Sequence, residues 1–220
     1  MAPGHGPPDL EGYFDRWAVM HGGYDPRSNV LVRWWLAIAY AVARPLAAAR
    51  FSPDLVTMTG LLVTGVAALL ARGEGWWLLG AAVLVVLAGL LDNVDGAVAV
   101  LRDRVTRWGA VLDPVTDRVG DVLMVLALGL AGAPWRACAI GGALMFLLEY
   151  VRARAAVAGM TEVGVVTVWE RPTRVIVTAA FLAAAAALGD PWPGLGAWAW
   201  AALGVVGLTQ LLLVVRRRLA

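Results

Sequence analysis

Four aspartates are the residues of this chain best placed to do chemistry, and they fall in one stretch, LLDNVDGAVAVLRDRVTRWGAVLDPVTDRVGD, residues 90 to 121. Asp92 and Asp95 are three apart, about 60° around a helix axis, and Asp113 and Asp117 are four apart, about 40°. Each pair therefore occupies one helix face. If the two helices are antiparallel neighbours joined by the short connection between them, four carboxylates converge at one depth. Bare, they would not persist: two like charges 4 Å apart repel by roughly 4 kcal/mol at an effective dielectric of 20. Protonation or a cation must relieve this. A hard divalent ion, Mg2+ or Mn2+, is the natural ligand of carboxylate oxygens, and four carboxylates have the capacity for two ions. An ion pair of that kind polarises a phosphoryl group and steadies both the attacking and the leaving oxygen.

The elements that must position these groups are read from hydropathy. The chain has 220 residues, 60% of them hydrophobic, and a mean hydropathy of +0.73. Soluble domains are nearer 45–50% apolar, so lipid is the expected solvent. The eleven tryptophans suit membrane interfaces. Six apolar runs predict transmembrane helices at 55–71, 76–101, 108–130, 135–156, 173–188 and 195–215, each near the ~20 residues that cross the hydrocarbon. The GDPWPG stretch at 189–194 reads as a turn. The run at 30–49, interrupted by Arg33, Arg44 and Pro45, reads as an interfacial amphipathic helix. The expected fold is all-α: a flexible cytosolic segment over 1–27, the interfacial helix over 28–50, and a six-helix transmembrane catalytic domain over 51–220. In that frame the aspartates lie just inside the membrane surface, where an ionisable residue marks function by default. The competing reading is a satisfied polar network without chemistry.

All eighteen basic residues are arginine. Apart from Arg118, which lies inside a span, only Arg72 and Arg136 fall on the side opposite the termini. The positive-inside rule then places both termini and the aspartates in the cytosol, with the plasma (inner) membrane as the expected location. The net charge of +2 is no nucleic-acid footprint. A single cysteine, Cys138, excludes an internal disulfide. The two histidines, His5 and His21, stand far from any other nitrogen or sulfur ligand, so a zinc site is not expected. The first residues, MAPGHGPPDL, lack the apolar core of a signal peptide.

Gly96, Ala97 and Ala99 follow Asp95, and Gly109 precedes Asp113 by one turn. Small residues here either leave room for a bulky ligand or serve close helix packing. The full spacing, D-x2-D-G-x2-A, nine residues, then G-x3-D-x3-D, resembles the signature of the CDP-alcohol phosphotransferase family. Its members are six-span enzymes that pass a phosphoryl-linked group from a CDP-activated donor to an alcohol and release CMP. The resemblance implies that Asp92, Asp95, Asp113 and Asp117 bind two metal ions, Mg2+ or Mn2+, and that Asp117 is also the general base for the acceptor hydroxyl. It implies that Gly96, Ala99 and Gly109 border the nucleotide and that Thr106 helps hold a CDP-lipid. SPDLVT, 52–57, resembles the P-N-x-x-T start of the family's first span, so Asp54 and Thr57 join the nucleotide set. Asp54 stands where Asn is usual and serves equally well as a helix N-cap.

One departure stands out. The family has arginine directly after the signature alanine, and here that residue is Val100. Arg102, Arg104 or Arg107 could supply the charge; Arg102 is nearest and would point along the Asp95 face if the helix continues that far. Each is also accounted for by the positive-inside rule. YVRARA, 150–155, and ERPTR, 170–174, are similar to segments of the phosphatidylinositol-phosphate and phosphatidylglycerol-phosphate synthase branch. They imply that Arg152, Arg154, Arg171 and Arg174 hold the phosphate of the acceptor, since arginines grip phosphate through forked hydrogen bonds; orientation charges with a Glu170–arginine ion pair are the alternative. The implied partners are CDP-diacylglycerol, a polar alcohol such as inositol phosphate or glycerol phosphate, the bilayer, and a second copy in a homodimer. Other classes consistent with buried carboxylates are an ion-coupled transporter, which the surface depth of the aspartates and the lack of an inverted repeat oppose, and an inactive scaffold, favoured only by Val100.

Overall fold

In the computed structural model every regular element among the described residues, 8–20, 22–160 and 166–219, is helical. The α-helices are α1 Leu10–Met20, α2 Val30–Ala48, α3 Pro53–Leu70, α4 Trp76–Leu101, α5 Gly109–Leu130, α6 Trp135–Val157, α7 Arg171–Leu188 and α8 Trp192–Leu219, with a 3-10 turn, Pro26–Ser28, between the first two. The expected all-α polytopic membrane protein is thus what the chain forms, and α3 to α8 coincide closely with the six apolar runs. Among the described residues α2, α3, α4, α7 and α8 are long and apolar enough to cross a membrane. Helices α5 and α6 are as long but carry Asp113, Asp117, Arg118 and Asp121, and Arg136, Glu149, Arg152 and Arg154 respectively.

The chain divides into two compact units. The first takes in the chain up to Gly60 and Ala88–Thr116. Part of the N-terminal segment read as flexible is the helix α1. Asp9 caps it by accepting from the Gly12 amide at 2.9 Å, and Tyr13 and Phe14 are buried in a core with Leu36, Ala39, Val94 and Val98. Burial pushes the Tyr13 phenol above its ordinary value. Two buried aromatics on successive residues are enough to dock a short helix whose composition alone is unremarkable.

Helix α2 starts on Asn29, whose side chain accepts from the Leu31 and Val32 amides. It stops where Arg50 turns left-handed (φ 60), with the Phe51 amide bonding back to the Leu46 carbonyl, a Schellman motif. Helix α4 stops in the same way: Asp103 has φ 51 and the Arg104 amide bonds to the Ala99 carbonyl. Helix α5 starts on Thr106, whose hydroxyl accepts from the Gly109 amide at 2.9 Å.

The second unit is Leu61–Leu87 with Asp117–Ala220. Its core gathers Leu128, Met145, Leu148, Leu182, Trp169 and Trp200. The indoles of Trp169 and Trp200 meet edge to face, 5.0 Å between centroids, and Trp200 donates to the Thr178 hydroxyl. Helix α8 approaches closely because of its glycines. A Cβ on Gly207 would lie 2.6 Å from the Trp169 Cβ, and one on Gly204 would lie 3.0 Å from the Leu144 Cβ. The turn expected over 189–194 is shorter: α8 begins at Trp192, because Pro193 in a first turn forfeits only an amide that no helix bond would use.

Candidate active site

A cavity in the first unit collects residues from four helices and a loop. Its lining includes Met20 of α1, Pro53, Asp54 and Thr57 of α3, Asp95, Gly96, Ala99 and Val100 of α4, Arg104, Val105 and Thr106 of the connection, and Gly109, Ala110, Leu112 and Asp113 of α5. The turn at Asp103 folds the connection back over the end of α4 and brings Arg104 and Thr106 to the cavity. A Cβ on Gly96 would meet nothing within 4 Å, so this position opens onto space. Asp95 is buried and is held by the Thr57 hydroxyl, which donates to its Oδ2 at 2.5 Å.

Of the residues implied to border a nucleotide, Asp54, Thr57, Gly96, Ala99, Thr106 and Gly109 all line this cavity. Arg102 does not: its guanidinium donates to the Arg50 carbonyl at 2.9 Å and to the Phe51 carbonyl at 2.5 Å. The expectation that Arg102 follows the Asp95 face required α4 to continue, and the left-handed Asp103 ends it. Arg104 is the arginine at the cavity wall. Arg16 of α1, which sequence reasoning gave no role at the site, donates to the Val100 carbonyl at 3.3 Å; nothing local in the sequence signals a contact across that separation.

The expected convergence of four aspartates is met only in part. Asp92 and Asp113 offer carboxylate oxygens within 4.8 Å of each other. Asp117, one turn further along α5, brings an oxygen within the same distance of Asp113. Asp95 stands outside this trio. Carboxylate oxygens with no nitrogen or sulfur among them fit a hard divalent cation.

Asp117 opens a second constellation, lying wholly in the second unit. Arg171, at the start of α7, contacts its Oδ1 at 2.5 Å, and Arg118 lies 3.7 Å from its Oδ2. The Arg171 guanidinium passes over Gly120, where a Cβ would lie 3.6 Å away in ordinary contact. Behind them is a network of which the sequence reading named only a Glu170–arginine pair. Glu149 of α6 contacts Arg118 at 2.9 Å and Arg174 at 2.7 Å. Asp121 contacts Arg118 at 3.1 Å and Arg174 at 2.5 Å. Arg152 pairs with Glu170 at 2.7 Å, and Glu170 also accepts from the Thr167 amide and hydroxyl.

The four arginines implied for an acceptor phosphate therefore differ. Arg174 is fully buried and its guanidinium is taken up by Asp121, Glu149 and the Trp169 carbonyl. Arg152 is engaged with Glu170. Arg171 is partly accessible beside Asp117, and Arg154 is exposed. The signal for the network was present as charged residues inside helices, Arg118, Asp121 and Glu149, which must find partners in a membrane.

Long apolar helices and carboxylates suited to a hard cation are the features of a polytopic membrane enzyme. The pattern of the CDP-alcohol phosphatidyltransferase family matches residues 50–215. The chain belongs to that family and is a CDP-alcohol phosphotransferase of phospholipid synthesis. It is 33% identical over 189 residues to the phosphatidylinositol phosphate synthase of Mycobacteroides abscessus, covering 81% of this chain and 84% of the relative. It is 35% identical over 171 residues to the archaetidylinositol phosphate synthase of Methanothermobacter thermautotrophicus, covering 76% and 84%. Among solved structures, the Mycobacterium tuberculosis phosphatidylinositol phosphate synthase with CDP-DAG bound superposes with a TM-score of 0.67 at 30% identity, over 81% of this chain and 94% of that one. The same enzyme with manganese and citrate gives 0.68 at 29% identity, over 81% and 88%.

Proposed function

We propose that this chain transfers the phosphatidyl group of CDP-diacylglycerol to an inositol phosphate, releasing CMP, with glycerol phosphate as the competing acceptor. The observation that carries the acceptor class is the Arg171–Asp117 contact. A cation able to hold a phosphate stands against the carboxylate placed to act as base, so an acceptor gripped by its phosphate presents a hydroxyl near Asp117. The names of the relatives favour inositol phosphate, and the CDP-DAG and manganese of the solved relative support the donor and a metal.

In this reading the cavity takes the cytidine diphosphate. Gly96 and Ala99 leave room for it, Asp54, Thr57 and Thr106 supply polar contacts, and Arg104 provides the charge absent at Val100. Asp92, Asp113 and Asp117, with Asp95 on the same face of α4 as Asp92, would hold two divalent ions, Mg2+ or Mn2+. When bound, these supply electrostatic stabilisation of charge on the transferring phosphate. Asp117 takes the proton of the acceptor hydroxyl. The freed oxygen attacks the β-phosphorus, the bond to the bridging oxygen breaks, and that oxygen departs with CMP.

The surrounding architecture belongs to the same proposal. Helices α3 to α8 form six spans, and α2 lies at the interface with Leu31, Trp34, Ile38 and Val42, all exposed, towards lipid. Both termini and the site face the cytosol of the plasma (inner) membrane, and the enzyme works as a homodimer. The test is an acceptor panel. Purified protein with CDP-diacylglycerol and Mn2+ is offered inositol phosphate, glycerol phosphate, and unphosphorylated inositol and glycerol, with lipid products read by mass spectrometry. Phosphatidylinositol phosphate is the expected product. Preference for an unphosphorylated alcohol contradicts the acceptor class.

A further inference from the structure

Helices α5 and α7 are joined by two ion pairs set one turn apart. The outer pair is Asp117 with Arg171 and the inner pair is Asp121 with Arg174, both at 2.5 Å. The outer side chains are each 18% exposed and the inner ones 0%. Asp117 and Asp121 are four apart on α5, and Arg171 and Arg174 are three apart on α7, so each helix presents its two members on one face.

The inner pair is built to stay fixed. Arg174 uses Nε for the Trp169 carbonyl, Nη1 for Asp121, and Nη2 for Glu149 and again the Trp169 carbonyl. Glu149 adds α6, and through Arg118 it returns to α5. A guanidinium with four of its five N–H groups bonded and no exposure is out of a ligand's reach. Removing one member of such a buried pair would leave an uncompensated charge.

We propose that the Arg174–Asp121 pair is the positioning element of the acceptor site. It sets the register of α7 against α5, so that Arg171, one turn nearer the start of α7, meets the Asp117 carboxylate. The proposal rests on the reading of Asp117 as base and Arg171 as phosphate-holding cation. It adds that Arg174 and Asp121 act through these residues and never touch the acceptor. Misplacement by about 1 Å is enough to cost roughly a hundredfold in rate when geometry governs a step.

The test uses Asp121→Asn, which keeps shape, together with Arg174→Gln and Arg174→Lys, in full-length protein in detergent with CDP-diacylglycerol and Mn2+. Inositol phosphate and glycerol phosphate are both offered. Asp121→Asn and Arg174→Gln are expected to raise the KM of the accepted phosphate, or lower kcat, by tenfold or more, leaving the CDP-diacylglycerol KM within twofold; Arg174→Lys recovers part of the loss. An unchanged acceptor KM and kcat overturns the proposal. So does a fall in Tm with donor and acceptor parameters declining together, which is the mark of a merely structural pair. A second readout is independent of turnover: the Nη–H signal of Arg171, whose Nη1 meets Asp117, in 15N-arginine-labelled protein at low temperature, identified by its loss in Arg171→Lys. It is expected to move in Asp121→Asn towards the position of free arginine, and an unmoved signal contradicts the positioning role. If wild-type protein uses neither phosphate, the functional reading fails while this signal still decides the register.

Discussion

Asp117 has a carboxylate one turn before it and two arginines against it, Arg171 and, at 3.7 Å, Arg118. Its charge is thereby balanced within the second unit. Asp117→Asn keeps the volume and loses the base, so CMP release is expected to fall by roughly 10²–10⁴ with Tm unchanged, as read by release from CDP-diacylglycerol and thermal denaturation in detergent. Residual activity near wild type would remove the base assignment. The two loop arginines separate cleanly. Arg102 holds the carbonyls of Arg50 and Phe51, so Arg102→Ala is expected to destabilise by about 1–3 kcal/mol with the donor KM unchanged. Arg104 lines the cavity, so Arg104→Ala is expected to raise the donor KM with little effect on Tm. The aspartates were legible because helical spacing is a local property. The role of Arg102 was not, because it turned on whether α4 ends at Leu101, and a non-glycine residue in a left-handed turn gives no sequence warning.

Helices α3 to α8 were legible as apolar runs because a long hydrophobic helix advertises itself by composition. Helix α1 was not. Its evidence is a capping aspartate and two aromatics whose burial depends on α2 and α4, which are distant in sequence. The start of α8 at Trp192 was likewise hidden behind prolines that look like a turn. What holds α8 in place is close approach: a Cβ at Gly207 would press on Trp169, and the alternative of moving the indole would disturb its contact with Trp200. Gly207→Leu is therefore expected to lower stability by about 1–3 kcal/mol, whereas leucine at Gly142, where a Cβ meets nothing within 4 Å, should leave Tm nearly unchanged. Equal effects of the two substitutions in thermal denaturation would contradict this account of the packing.

Among the described residues, charge within the helices of the second unit is met by opposite charge. The second unit sets Arg118, Arg152, Arg171 and Arg174 against Asp117, Asp121, Glu149 and Glu170, four charges of each sign inside or at the ends of helices. Among the described residues, Asp92 and Asp113 differ in bringing carboxylate oxygens within 4.8 Å of each other. The pairing of the arginines was not legible, since partners on separate helices leave no mark in linear spacing. The central claim is that these aspartates run a metal-dependent transfer from a CDP-alcohol. The most direct measurement is CMP release from CDP-diacylglycerol with inositol phosphate, for wild type and for Asp92→Asn, Asp113→Asn and Asp117→Asn, after chelation and after return of Mn2+ or Mg2+. The account predicts that wild type releases CMP together with an equal amount of phosphatidyl product, that chelation stops release and metal restores it, and that each substitution abolishes it in folded protein. Release that survives chelation, or that persists in all three variants, would contradict it.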